Sequence, residues 1–272
     1  MNLATASRVG AAALLALAAV TANAANAIHD ANLFTTVLPA NDDGSTSAPI
    51  DLGFSALING TTYSNAYVNN NGNITFGQAL STYTPAQILG SPFPIIAAFW
   101  ADIDTRGTNS GLTQYGGATL DGKNVFGINW IGVGYYASRV DKLNSLQMIL
   151  TDRSDVGAGD FDIQFNYDQI QWETGEASGG VNGLGGTSAA VGYAVGTNLA
   201  YQLPGSFVNG ALLDGGPNAL VAHSLNSNTL GQYTFQVRNG EVVPSIPEPE
   251  TYALMALGLG VVGWMARRRK QG

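Results

Sequence analysis

Asp160-Phe161-Asp162-Ile163-Gln164-Phe165-Asn166-Tyr167-Asp168 alternates polar and apolar without a break. Phe161, Ile163, Phe165 and Tyr167 therefore share one face of an extended chain. No helix produces that period. Working outward, the same alternation returns in Leu146, Met148 and Leu150, in Phe126, Ile128 and Trp130, and in Tyr233, Phe235 and Val237. Each reads as a half-buried antiparallel strand. Burying such side chains stabilises by roughly 1.5–3 kcal/mol each, which penalises a one-residue slip of register. Between Tyr67-Val68 and Ile74-Thr75-Phe76 lies Asn69-Asn70-Asn71-Gly72-Asn73, a residue set that tolerates positive φ and closes a hairpin. The run Ile95 to Phe99 is continuously apolar and short, as in a strand covered on both faces, while Pro85 to Leu89 suits one helical turn. No long segment of 3.6-residue period with caps lies between Ile28 and Val243, so the expected fold class is all-β, an antiparallel, sandwich-like body. Residues 41–49 and 175–186, rich in Gly, Ser, Thr, Asp and Asn, read as surface loops.

Composition closes several classes of function. Among 272 residues there is no cysteine, which excludes disulfides, thiol nucleophiles and cysteine-ligated metals. Only two histidines occur, His29 and His223, too few for a multi-histidine centre. The formal net charge of −8 argues against nucleic acid as a partner.

The two ends read as addresses. Arg8, the apolar run Ala11 to Val20 and the small residues Ala22-Asn23-Ala24 and Ala25-Asn26-Ala27 form a signal-peptide pattern, with a signal helix over 1–27 and cleavage after Ala24 or Ala27. Its expected partners are the Sec translocon and signal peptidase. At the other end Pro247-Glu248-Pro249 precedes an uncharged run from Tyr252 to Ala266 and the cap Arg267-Arg268-Arg269-Lys270. A helix over that run is about 22 Å long, short of the ~30 Å hydrocarbon core, so it makes a marginal, transient single membrane span. The cations hold its far end in the cytoplasm. This arrangement resembles the PEP-CTERM sorting signal of exopolysaccharide-producing Gram-negative bacteria. The resemblance implies cutting near Pro247-Glu248-Pro249 by an exosortase-type protease, with Arg267, Arg268 and Arg269 as part of the handle. The alternative is a permanent single-span anchor.

Within the body, YVNNNGNITFG from Tyr67, FWADIDTR from Phe99 and the stretch from Phe161 through Gln171-Trp172-Glu173-Thr174-Gly175 resemble the nidogen-like (NIDO) domain. The likeness divides the chain into a lead-in at 28–50, the domain at 51–238, a linker at 239–246 and the sorting signal at 247–272. It implies an adhesive or matrix-associated role at the cell surface or in the extracellular matrix, and brings no catalytic residues.

Candidate residues for chemistry are few. Asp102 and Asp104 follow the apolar strand at 95–99, and a period of two aims both carboxylates the same way, which would begin a calcium site; Arg106 is the competing ion partner. Asp152, Asp155 and Asp160 surround Gly157-Ala158-Gly159 but lack EF-hand spacing. No cofactor is expected, with calcium the one ion these acids would suit. Trp172 is the candidate for stacking on a sugar of the exopolysaccharide, with Tyr135, Tyr136 and Tyr201 near it in kind. Glu173 and Glu176 are the available pair for glycoside hydrolysis, the weaker alternative. His223 near Ser224 and Ser206 has no nucleophile elbow around it.

Overall fold

In the computed structural model, which describes residues 27–196 and 199–243, the alternating segments pair into two antiparallel sheets. In chain order the strands are β1 (Thr36–Val37), β2 (Ile50–Ile58), β3 (Thr61–Asn69), β4 (Asn73–Thr75), β5 (Ile95–Trp100), β6 (Ile103–Asp104) and β7 (Thr113–Leu120). They continue with β8 (Lys123–Tyr135), β9 (Arg139–Asp152), β10 (Phe161–Gln169), β11 (Ala190–Ala194), β12 (Ala200–Gln202), β13 (Gln232–Arg238) and β14 (Glu241–Val242). One sheet runs β1-β7-β8-β9-β10-β13-β14 with β6 beside β8; the other runs β12-β11-β5-β4-β3-β2.

The period of two decides which layer each side chain enters. Phe161, Ile163, Phe165 and Tyr167 of β10 face the other sheet, as do Phe126, Ile128 and Trp130, Leu146, Met148 and Leu150, and Tyr233, Phe235 and Val237. Register brings them together: Ile163 opposes Leu150 and Phe235, and Phe165 opposes Met148 and Tyr233. Strand β5 is buried along its whole length because Ile96 and Ala98 enter this central core while Ile95 and Ala97 enter a second cluster on the outer face. That outer face is covered by Leu80, Ile88 and Phe93. The covering chain is not helical at Pro85 to Leu89, contrary to the sequence expectation. It runs as irregular chain, turning at Ile88 where Ser91 N donates to Ile88 O at 3.1 Å, and its path follows the sheet face that Leu80, Ile88 and Phe93 cover. Among the described residues the helical segments are two short 3-10 turns, Ala31–Leu33 and Glu176–Ser178.

The outer face of the larger sheet is closed by residues 27–35, which lead into β1 at its edge. Phe34 is fully buried with Val125 and Ile149. It seats over Gly127, where a Cβ would lie 2.0 Å from the ring, so only glycine admits it. Beside it a polar ladder crosses three strands: Gln147 bonds Asn129 at 2.9 Å and Asn166 at 3.1 Å, and Asn129 reaches Ala31 O at 2.8 Å. These buried amides satisfy one another and the covering backbone.

The helices expected over the signal peptide and over 252–266, and the sorting residues Pro247, Glu248, Pro249, Arg267, Arg268 and Arg269, lie outside the described residues. Among the described residues no helix is long and apolar enough to cross a membrane.

Candidate functional site

The chemistry-bearing side chains converge where β5 ends. Asp102 occupies the corner before β6 and is 1% exposed, with neither carboxylate oxygen hydrogen-bonded. Its backbone carbonyl accepts from Tyr136 N at 3.1 Å, which fixes the corner against the larger sheet. The β3–β4 turn lies against it. Gly72 there has φ +74°, and a Cβ would fall 1.9 Å from Phe99 O, so the turn approaches β5 only with glycine at that position.

The asparagines of this turn do more than turn the chain. Asn70, wholly buried, donates to Asp42 O at 2.7 Å and to Ile103 O at 2.6 Å. Its own oxygen accepts from Thr113, and its backbone carbonyl from Trp130 Nε1. Asn71 accepts from Ile103 N and donates to Asp43 Oδ1, both at 2.9 Å. Loop 41–45 is thereby held against the β5–β6 corner. Asp42, Asp43 and Asp102 end with carboxylate oxygens all within 4.8 Å of one another.

The electrostatics follow from that crowding. Burial, then Asp42 and Asp43, push the Asp102 carboxyl up to about 7. Burial, then Asp104 and Asp43, raise Asp42 to about 6. Asp104 behaves differently. Burial alone would raise it, but hydrogen bonds from Arg106 and from Ser138 N hold its carboxyl below the usual range. Arg106 Nη2 lies 2.7 Å from both Asp104 Oδ2 and Asp42 Oδ2, and its guanidinium is held even more firmly in the charged form by Asp104. The expected pair Asp102/Asp104 is thus split: Asp104 is taken by local donors, and Asp102 meets two acids from a loop about 60 residues upstream. An all-oxygen set of this kind suits a hard cation.

The remaining candidates fall elsewhere. Asp152 caps Ser154, Asp155 pairs with Lys123 and Arg153, and Asp160 accepts from Asn239 N, so these three acids point at separate partners. Trp172 is fully buried, with its indole nitrogen bonded to Val133 O and its ring 5.7 Å from Phe99 and 5.4 Å from Tyr135. It has no face to offer a sugar, which corrects that expectation: the large ring fills the core beneath the acidic corner. Glu173 is likewise fully buried, its oxygens accepting from Gly210 N at 2.7 Å and Leu212 N at 2.6 Å. It staples a loop, and Glu176 pairs with Arg139 at 2.9 Å. Ser206 bonds β11 through Val191, whereas exposed His223 lines a separate groove of about 380 Å³ with Tyr201, Pro204, Pro217 and Asn218. Asp42 and Asp43 were hidden from sequence reasoning because their loop carries no period. The clue was the run of asparagines facing them.

Comparison with known proteins matches residues 64–119 and 109–239 to the nidogen-like domain, and residues 245–270 to the PEP-CTERM protein-sorting motif. The chain is similar to alpha-tectorin of Homo sapiens, 33% identical over 239 residues, covering 77% of this chain and 10% of the relative. It is also similar to nidogen of Drosophila melanogaster, 27% identical over 220 residues, covering 70% of this chain and 15% of the relative. The chain therefore spans between a tenth and a sixth of the length of the curated relatives it matches. No solved structure matches it.

Proposed function

Because the chain belongs to the nidogen-like domain family and carries a PEP-CTERM sorting motif, we propose that it is an exported bacterial surface protein whose β-sandwich contacts the surrounding matrix. The observation that carries this is the order of the two matches: the nidogen-like body ends at residue 239 and the sorting motif begins at 245. In this reading the Sec pathway delivers the chain, the run 252–266 holds it briefly in the inner membrane, and an exosortase-type protease acts near Pro247-Glu248-Pro249. The body then works by many weak contacts over a face. Residues 28–246 hold 17 of the 19 acidic side chains and 6 of the 11 basic ones, a net −11, so a direct anionic partner is disfavoured.

A second reading, binding of exopolysaccharide, draws on the groove at Tyr201 and His223, where an aromatic ring and polar groups line one concavity. One assay addresses both. Cells carrying the native chain are compared on matrix-coated surfaces with cells whose Pro247, Glu248 and Pro249 are all replaced by alanine. Adhesion through the displayed body predicts a several-fold loss of attachment in the variant. Equal attachment at equal protein level contradicts it. Soluble matrix polysaccharide blocks attachment of native cells under the second reading only.

A further inference from the structure

We propose that Asp42, Asp43 and Asp102 bind a calcium ion that ties loop 41–44 to the corner between β5 and β6. Asp102 is 1% exposed and neither oxygen has a hydrogen-bond partner, although the surrounding backbone and amides are thoroughly paired. A carboxylate so placed is costly to bury unless a ligand meets it. Asp42 repeats the pattern: Oδ2 is held by Arg106, while Oδ1 is buried and unpartnered. Asp43 is oriented by Asn71 through Oδ1. Two of the three ligand groups are therefore positioned by a second contact, and all three present oxygens within 4.8 Å of one another.

The charge balance points the same way. Arg106 is the cation nearest the cluster and is shared between Asp42 and Asp104. Among the described residues neither Asp43 nor Asp102 forms an ion pair. The donors are carboxylates, with no imidazole or thiolate beside them, which selects a hard ion. Calcium fits better than magnesium because it tolerates irregular shells of six to eight oxygens, whereas magnesium demands a near-ideal octahedron. The ion would cross-link a loop outside the 64–239 match to the heart of the domain, in an exported protein that meets calcium after leaving the cell.

The test uses the full chain, freed of divalent ions by chelation and then titrated with calcium chloride by calorimetry and thermal unfolding. One saturable site is expected, with the melting temperature rising by roughly 5–10 °C at a hundredfold excess over Kd, and a weaker response to magnesium. Asp102→Asn removes the calcium response yet melts in chelator no lower than the native chain, since it deletes an unpartnered charge. Asp155→Asn, on the far loop, keeps the response. If Asp102→Asn does not fold, Asp43→Asn at a half-buried position serves in its place. The proposal is overturned by a folded native chain that shows neither heat nor a melting shift with calcium, or by an Asp102→Asn chain that keeps the full shift.

Discussion

At Trp172 the sequence offers a ring beside two glutamates, a pattern that suits a sugar site and a core equally well. Tertiary packing decides it: Phe99 and Tyr135 flank the ring, and Val133 O satisfies its nitrogen. Trp172→Ala is expected to lower the unfolding free energy by about 3–5 kcal/mol, read by chemical denaturation. A variant of native stability would place the ring outside the core. The acidic residues divide along the same line. Asp102 is legible as a carboxylate at the end of an apolar strand. Asp104 follows the competing reading instead: Arg106, two residues away, takes it as an ion partner. Asp42 and Asp43 sit in a segment without periodicity, and their approach depends on hydrogen bonds from a turn almost 30 residues distant in sequence.

Strands are the most legible elements, because a face buried at every second residue leaves its period in the sequence. β8, β9, β10 and β13 appear where the alternation puts them, and the asparagine turn closes the β3–β4 hairpin. Segments that cover a sheet instead of joining it leave no such record. The segment from Leu80 to Phe93 and the lead-in at 27–35 are set by the face they lie on, as Phe34 is by Gly127. Gly127→Ala should therefore displace Phe34 and lower the unfolding free energy by about 1–3 kcal/mol, with faster amide exchange at residues 27–37. Unchanged exchange in that segment would mean that the ring is not what fixes it.

For the whole molecule, the two sheets enclose one central core, and the lead-in belongs to that body: β1 pairs with β7, and Ser45 bridges to Asn69. The nidogen-like match ends at residue 239 and the sorting motif begins at 245, so body and sorting motif occupy separate stretches of chain. That the sandwich, relieved of both ends, is the form that works outside the cell is tested most directly by intact-mass measurement of the protein recovered from its native envelope. The predicted result is a mass that lacks the residues up to Ala24 or Ala27 and those beyond the Pro247-Glu248-Pro249 region. A mass retaining Arg267 to Lys270 would contradict it and make the C-terminal run a lasting anchor.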